Sequence, residues 1–349
     1  MVTLLGCPDE GSLLDRSNPI LFSADIHCFL KNSIGEYGPA EKLAGDASTR
    51  EYFRIHHEDT SSVLCVDSNF IGRSAGEYPF FIVDGMFQKE GIPVPEIRAF
   101  DEKNGLILQE DGGDEHLQKF FPSLRRDEGI SLYKRLIDIM VDIQFIEGEG
   151  DCIPFCLSFD GEKLMFEFNF FIDNTLLNYF RARMSQTEIR TLRSEFTKVA
   201  EMLYRPELFV LNHRDFHSRN VLIRPSGPFV IDFQDARMGL PQYDAASLLR
   251  DSYLVLEDDV VEILKGYHFH RLNENGYGRM TFEEYAAFFD LMAFQRNVKA
   301  LGTFGYQITS RGNTVYEPYI SPTVAYLSDY IVRREELKAA GEILLKYIV

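Results

Sequence analysis

The sequence contains no run of about 18 uncharged apolar residues, so it predicts no transmembrane helix. Its first residues, MVTLLGCPDEGSLLDR, have no basic segment and too short an apolar stretch for a signal peptide. Cysteine is scarce as well: there are five, and the close pair Cys152 and Cys156 has no second cysteine pair or histidine pair at zinc-site spacing. We therefore expect free thiols and a cytoplasmic chain.

Positive charge is also in short supply. Lys and Arg number 36 against 54 Asp and Glu, which gives a formal net charge of −18. A surface this acidic repels nucleic acid and anionic membranes over most of its area, although it leaves room for a local basic pocket. We expect neither a nucleic acid nor a membrane as partner, and the oligomeric state stays open.

The 349 residues suggest two lobes, and the pattern of apolar residues changes near residue 111. Before it, two hairpins are predicted, Tyr52–Ile55 with Ser62–Val66 and Ile97–Phe100 with Leu106–Gln109, together with helices over Asp25–Asn32 and Tyr78–Lys89. After it, apolar residues recur at helical intervals in Ser131–Gln144, Phe166–Phe180, Glu188–Leu203, Tyr243–Tyr253, Val260–His268, Thr281–Leu301 and Arg333–Tyr347. The sequence predicts an α+β protein with a small β-rich N-terminal lobe, residues 1–111, and a larger helical C-terminal lobe, residues 112–349.

The segment LNHRDFHSRNVLI, residues 211–223, is a loop rich in histidine, aspartate and asparagine, and it leads through a Pro-Ser-Gly-Pro turn into FVIDFQD. The predicted hairpin brings Asn220, before its first strand, close to Asp232, at the end of its second strand. An amide oxygen and a carboxylate placed together suit a hard divalent cation such as Mg²⁺. Asp215 lies on the same loop, where it can face a substrate hydroxyl beside the metal. Together these parts are the minimum for phosphoryl transfer.

The order His213, Asp215, Asn220 and then Asp232 at a strand end matches the catalytic and metal loops of kinases. The gap of twelve residues from Asn220 to Asp232, and the Phe-Gln-Asp that begins at Phe233, resemble the aminoglycoside phosphotransferase and choline kinase superfamily rather than protein kinases. This resemblance implies a bilobal, protein-kinase-like fold.

Within that superfamily, HRDFHSRN and IDFQDA resemble the bacterial cell-wall sugar kinases that phosphorylate the anomeric hydroxyl of N-acetylmuramate and N-acetylglucosamine. AGDASTREYFR resembles the nucleotide loop of that group, LQEDGG its interlobe hinge, and FEFNFF and QRNVKALG its later helices. The likeness extends over roughly residues 40 to 330. It implies a kinase of cell-wall recycling that uses ATP and Mg²⁺ to convert a small sugar into its 1-phosphate.

The resemblance also implies roles for individual residues. Asp215 would orient the acceptor hydroxyl and accept its proton, and Asn220 and Asp232 would hold Mg²⁺. The residues expected to bind ATP are Gly45, Asp46, Ala47, Ser48 and Thr49 over the triphosphate and the hinge residues Gln109, Glu110 and Gly112 at the adenine. The residues expected to face the substrate are His217, Arg219, Gln234 and Asp235, of which His217 could instead support the loop and Arg219 could instead contact phosphate or form a structural ion pair. Tyr243 and Asp244 would brace the catalytic loop.

One departure from the superfamily concerns the third strand, which usually carries a lysine that holds the ATP phosphates. The corresponding run, Ser62–Asp67, has no lysine, and neither does the sugar-kinase group. Arg50 or Arg54 could supply the charge. Two alternatives therefore remain beside a sugar kinase: a kinase of aminoglycosides or choline-like amines, whose positive charge would suit an acidic chain, and a nucleotide-binding pseudokinase.

Overall fold

A computed structural model describes residues 22–43 and 50–348 of the chain. No helix within these ranges is both long enough and apolar enough to cross a membrane. The chain divides into two compact units, one made of the residues up to Ile82 with Pro95–Gly113, the other of Val83–Val94 and the residues from Asp114 onward.

The first unit is built on an antiparallel five-stranded sheet of order β1-β2-β3-β5-β4. Its strands are β1 (Ala40–Lys42), β2 (Glu51–His57), β3 (Thr60–Val66), β4 (Ile97–Asp101) and β5 (Leu106–Glu110). Both predicted hairpins are confirmed, since β2 pairs with β3 and β4 with β5. Helices α1 (Ala24–Ile34) and α2 (Pro79–Lys89) match the two predicted helices, and α2 begins in the first unit and ends in the second.

Apolar side chains on one face of the strands form the core of the first unit. Side chains two residues apart point to the same face of a strand, so Phe53 and Ile55 of β2 are buried together. The buried cluster consists of Leu30, Ala40, Phe53, Ile55, Leu64, Leu106 and Leu108. It joins α1 to β1, β2, β3 and β5.

Arg50 and Arg54 are both held in ion pairs within the first unit. The Nε and Nη2 atoms of Arg54 donate to the two carboxylate oxygens of Asp111 at 2.5 and 3.0 Å. Arg50 Nε donates to Asp67 at 2.7 Å, and the Tyr78 hydroxyl donates to the same oxygen at 2.6 Å. Burial raises the pKa of both carboxyls, but the hydrogen bonds and the arginine charges outweigh it, so each pKa lies below its usual range. Both arginines therefore already have a carboxylate partner within the first unit.

The Arg54–Asp111 pair yields a stability prediction. We expect Asp111→Asn to lower the free energy of unfolding by about 3 kcal/mol, because it leaves a buried guanidinium without its counter-charge. Urea titration measures this. The control is Glu51→Gln, which removes an exposed partner of Lys42 and should change stability by less than about 0.5 kcal/mol. Equal effects of the two substitutions would contradict the assignment.

The second unit is mainly helical. Its helices are α3 (Leu117–Phe120), α4 (Arg126–Gln144), α5 (Gly161–Phe171), α6 (Gln186–Leu203), α7 (Gln242–Leu249), α8 (Asp258–Glu274), α9 (Phe282–Arg311), α10 (Ile320–Arg333) and α11 (Lys338–Ile348). Helix α5 continues into a wider π-helical segment, Ile172–Tyr179. The predicted fold class, a small β-rich lobe and a larger helical one, is confirmed.

Helix α9 is the central element of the second unit and packs against α5, the π-helical segment, α7 and α10. A capping box of Thr281 and Glu284 begins it, and Gly312, with a left-handed φ of +67°, ends it. Two glycines permit its close approach to the end of α5 and to the π-helical segment. A Cβ on Gly305 would lie 2.6 Å from Thr175 Oγ1, and one on Gly302 would lie 3.1 Å from the Phe171 backbone. The position of α9 is therefore set by backbone contact.

Two short strand pairs accompany the helices. Strands β7 (Val221–Arg224) and β8 (Gly227–Val230) form the predicted hairpin. Strands β6 (Val210–Asn212) and β9 (Arg237–Gly239) form a second antiparallel pair that the sequence analysis did not predict. Together they fix the backbone on both sides of the histidine- and aspartate-rich loop.

The helix predictions fail in two places. The helix expected over Tyr243–Tyr253 ends at Leu249, and Asp251 instead accepts the backbone N–H groups of Ser218 and Tyr253. The helix expected over Arg333–Tyr347 begins later, as α11 at Lys338, and Arg333 is instead the last residue of α10. We did not predict α10, whose third residue is Pro322; proline is tolerated there because the N–H groups of a first helical turn have no partner inside the helix.

Candidate active site

The loop of residues 213–220, called here the catalytic loop, is held by buried carboxylates at both ends. At its start, the backbone N–H groups of His213 and Arg214 donate to the two oxygens of Asp244 at 2.6 and 3.0 Å. At its end, the N–H of Ser218 donates to Asp251 at 2.9 Å. Burial raises the pKa of Asp244 to about 7 and that of Asp251 to about 6, although these hydrogen bonds act in the opposite direction. Asp244 thus braces the loop as the sequence suggested, and Asp251 is a second brace.

His213 ties the catalytic loop to the strand that precedes Asp232. Its Nε2 lies 3.1 Å from the carbonyl oxygen of Ile231, which can only accept, so Nε2 carries the proton. Its Nδ1 then accepts the N–H of Asp215 at 3.3 Å. Burial lowers the pKa of His213 to about 4, so the ring is neutral near pH 7 and supports the loop rather than exchanging protons.

Asp215 is surrounded by positive charge. Its Oδ1 accepts a hydrogen bond from Lys299 Nζ at 2.8 Å and has Arg296 Nη2 at 3.5 Å, both from α9. Arg214 Nε lies 3.8 Å from Oδ2. Burial raises the pKa of Asp215, but the charges of Lys299, Arg214 and Arg296 outweigh it and hold the pKa well below its usual range. Asp215 is therefore ionised throughout the physiological range.

The sequence analysis missed Lys299 and Arg296 as parts of the site. Both lie in the QRNVKALG segment, which was recognised only as a helix shared with the sugar kinases. Residues three apart share one helix face, so two cations at this spacing beside buried residues were a usable signal. Without the fold, nothing connected them to Asp215, which precedes Lys299 by 84 residues.

Asn220 and Asp232 lie together, as the hairpin predicted. Asn220 Nδ2 is 3.4 Å from Asp232 Oδ2 and donates to the backbone oxygen of Asp215 at 3.0 Å. The backbone of Asp232 has a left-handed φ of +66°, an uncommon conformation for a residue with a side chain. Gln234 Nε2 donates to Asp232 Oδ1 at 2.9 Å. Gln234 therefore contacts the carboxylate that was predicted to bind the metal.

This pair fits a magnesium ion. It offers one amide and one carboxylate, which are hard oxygen donors, and Mg²⁺ usually takes one or two protein ligands and fills the rest of its octahedron with water and phosphate. Among the residues that the structure describes, no cluster of three His, Cys, Asp or Glu side chains forms a metal cage. A pair of this kind would leave the other coordination positions of Mg²⁺ to water and phosphate.

The predicted substrate residues differ in their surroundings. Asp235 is half exposed and pairs with Arg214, whose own backbone has a φ of +85°, and with Arg237 at 3.8 Å. His217 packs edge-on against the Tyr253 ring at 5.3 Å, and its buried Nδ1 has no hydrogen-bond partner among the described residues. Burial lowers its pKa to about 3. His217 is thus a neutral ring whose buried Nδ1 is not hydrogen-bonded to any described residue.

Arg219 lies over aromatic rings. Its guanidinium is 4.8 Å from the centre of the Tyr253 ring and 5.9 Å from that of Tyr316. Its backbone oxygen contacts His116 Nδ1 at 2.8 Å, which ties the end of the catalytic loop to the segment before α3. Arg219 is thus a cation fixed by aromatic packing next to Asn220.

Of the residues predicted to bind the nucleotide, Gln109, Glu110 and Gly112 belong to the first unit. Gly45, Asp46, Ala47, Ser48 and Thr49 lie outside the described residues. Gln109 is buried in β5, where it is paired with Val63 and Ile97. The N–H of Glu110 donates to the Glu96 oxygen at 2.8 Å, so this amide is already used within the unit. Gly112 is buried two residues beyond the end of β5.

The two loop amides on Asp244 give a prediction. Asp244→Asn offers one acceptor oxygen and turns an NH₂ group toward the other amide. We expect the free energy of unfolding to fall by about 1–3 kcal/mol and kcat to fall about 100-fold, because Asp215 moves with the loop. The control is Asp138→Asn, which removes a carboxylate that holds Tyr267 and Arg271 but no loop amide. Unchanged kcat in Asp244→Asn would show that the brace does not position the loop.

The sequence resembles known proteins over most of its length. A family model described as phosphotransferase enzyme family matches residues 39–282. An N-acetylmuramate/N-acetylglucosamine kinase of Pseudomonas aeruginosa is 29% identical over 335 residues, which cover 95% of this chain and 94% of that protein. The kinase of the same name from Neisseria meningitidis is 28% identical over 317 residues, 87% of this chain and 89% of that protein.

Solved structures show the same fold at lower identity. The ADP-bound aminoglycoside phosphotransferase APH(2'')-Ib superposes with a TM-score of 0.58 at 15% identity, covering 88% of this chain and 97% of that one. An ethanolamine kinase of Plasmodium vivax superposes with a TM-score of 0.60 at 11% identity, covering 92% and 93%. These similarities agree with the predicted superfamily and fold.

Proposed function

The chain belongs to the phosphotransferase enzyme family and is a kinase, and we propose that it transfers the γ-phosphoryl group of ATP to a hydroxyl of an amino sugar. The observation that carries this proposal is one loop that presents an ionised Asp215 beside the Asn220–Asp232 pair. A carboxylate for the acceptor next to a metal site for the phosphates is the arrangement that phosphoryl transfer requires.

The charge around Asp215 favours a neutral or anionic acceptor. Lys299 and Arg296 contact its carboxylate, Arg214 lies 3.8 Å away, and Arg219 is on the same loop. An acceptor with several ammonium groups would be repelled by these cations, since like charges in a partly buried site interact strongly. This argues against aminoglycosides and choline-like amines although the whole chain is acidic. N-acetylglucosamine is neutral and N-acetylmuramate carries a carboxylate. Both sugars in the relatives' names are therefore compatible with the positive charge around Asp215.

Each part of the site has a distinct task in the proposal. Asp215 hydrogen-bonds the acceptor hydroxyl and aligns it with the phosphoryl group. Because its pKa is low, it accepts the proton only late, as a loose transition state permits. Asn220 and Asp232 would hold Mg²⁺, which when bound neutralises charge on the phosphates. Residues 45–49 would cover the triphosphate, and Gln109, Glu110 and Gly112 would form the hinge at the adenine.

The acceptor atom in this proposal is the anomeric oxygen, so that the product is a sugar 1-phosphate. The proposal rests on the likeness to kinases named for N-acetylmuramate and N-acetylglucosamine. His217, Arg219, Gln234 and Asp235 are proposed to face the sugar.

We expect Asp215→Asn to lower kcat about 100-fold or more. Asparagine keeps the size of the side chain but cannot accept the proton, and it removes the negative charge that Lys299 contacts. The KM for ATP should change by less than about twofold, because Asp215 is assigned to the acceptor. Steady-state kinetics with a coupled ADP assay measure both. A kcat near that of the wild type would remove Asp215 from the reaction.

The acceptor prediction is tested with a panel of compounds. We expect turnover with N-acetylmuramate and N-acetylglucosamine and none with their methyl glycosides, whose anomeric oxygen is blocked. Phosphorus NMR of the product should show a glycosyl phosphate. Reaction of a methyl glycoside at the full rate would place the acceptor elsewhere on the ring. Turnover of an aminoglycoside or choline alone would replace the proposed substrate, and no turnover of any acceptor would favour a pseudokinase.

A further inference from the structure

Lys299 is a partly buried cation with a direct contact to the carboxylate assigned to the acceptor. We propose that Lys299 is a positioning residue: by binding Asp215 Oδ1 it fixes the carboxylate so that Oδ2 faces the acceptor hydroxyl. This inference rests on the proposed function, in which Asp215 orients that hydroxyl. It assigns a role in the reaction to a helix that the catalytic and metal motifs do not include.

The two oxygens of Asp215 have unequal surroundings. Oδ1 accepts from Lys299 Nζ at 2.8 Å and has Arg296 Nη2 at 3.5 Å. Among the described residues, Oδ2 has only a long ion-pair contact, to Arg214 Nε at 3.8 Å, which is beyond hydrogen-bond distance. One oxygen is therefore occupied by cations, while the other keeps its hydrogen-bonding capacity. An acceptor hydroxyl needs one such oxygen in a fixed direction.

Lys299 can fix this direction because α9 itself is anchored on two sides. On one side, Thr175 Oγ1 donates to the Leu301 oxygen at 2.6 Å, where Gly302 and Gly305 allow close contact. On the other side, Arg296 Nη1 donates to the Tyr243 hydroxyl at 2.8 Å, and Asn297 Nδ2 donates to the Arg250 oxygen at 2.9 Å. Groups mounted on a rigid element hold a site more precisely than groups on a loop.

The charge balance is that of a functional site rather than a structural one. Three cations, Lys299, Arg296 and Arg214, gather around Asp215, although one cation would satisfy a buried carboxylate. Burial and the charge of Arg296 lower the pKa of Lys299 to about 8, which shows that its charged form is disfavoured there. A like-charge cluster reduces stability, and such clusters are concentrated at active sites.

The first experiment compares Lys299→Met with Lys299→Arg. Methionine is similar in length but has no charge, so we expect kcat to fall about 10- to 100-fold as the carboxylate loses its orientation. The KM for ATP should stay within about twofold. Arginine keeps the charge and should recover most of kcat. The control is Lys265→Met, since Lys265 is a buried lysine that pairs with Glu262 on α8, and its kcat should stay within about twofold.

The second experiment tests whether Lys299 acts through Asp215. In the Asp215→Asn background, adding Lys299→Met should lower kcat by less than about twofold, because the carboxylate that it positions is already absent. A fall by the same factor as in the wild type would overturn the proposal, and so would a Lys299→Met variant with wild-type kcat. Both outcomes presuppose that Asp215→Asn is itself impaired, so an active Asp215→Asn would refute the proposed function separately.

A structural readout does not depend on finding the acceptor. A crystal structure of Lys299→Met should show the Asp215 carboxylate rotated from its place, with the catalytic loop still on Asp244. An unmoved carboxylate would overturn the positioning role. A displaced loop would likewise overturn it, because Lys299 would then support the fold of the loop rather than the direction of one side chain.

Discussion

The site depends on one buried carboxylate, Asp244, and on the two backbone N–H groups that it accepts. A loop that enters a protein interior must find acceptors for its amides, because an unsatisfied buried N–H costs about as much as a lost hydrogen bond. His213 and Arg214 have both amides on Asp244, and this holds Arg214 at its left-handed φ of +85°. The turn made there directs Asp215 toward α9. The hydrogen bonds to Asp244 therefore stabilise a strained backbone conformation, and this conformation sets the direction of the Asp215 side chain.

The placement of charge explains how an acidic chain can favour a neutral or anionic acceptor. Net charge acts over the whole surface and is screened by salt within about 8–10 Å, whereas partly buried pairs are screened much less. The carboxylate of Asp215 is 22% exposed and Lys299 is 18% exposed, so their immediate neighbours dominate the local field. The net charge of −18 is therefore a poor guide to the charge of the acceptor. The cations on α9 and on the catalytic loop are a better one.

Features set by nearby residues were predictable from the sequence, and those set by distant contacts were not. The hairpin that joins Asn220 to Asp232 follows from two short apolar runs and a turn, so their proximity could be deduced. Lys299 lies far outside the catalytic and metal motifs in the sequence. It reaches Asp215 only because α9 folds back over the catalytic loop. Helix α10 escaped prediction because Pro322 reads as a break, although the first turn of a helix tolerates proline. The ion pairs of Arg50 with Asp67 and of Arg54 with Asp111 could not be predicted either. They form because the sheet brings residues together that are distant in the sequence.

The low pKa of Asp215 and the rigidity of α9 lead to the same view of the chemistry. A carboxylate that is paired with lysine and arginine is a weak base, so it gains little by removing a proton before transfer begins. Its value lies in alignment, and alignment needs a support that does not move. Helix α9 supplies that support because its glycines bring its backbone within contact of the end of α5 and of the π-helical segment. A helix packed so closely cannot shift without a clash. The same cations that weaken Asp215 as a base thus fix it as a guide for the acceptor, and in a reaction with a loose transition state the second effect matters more.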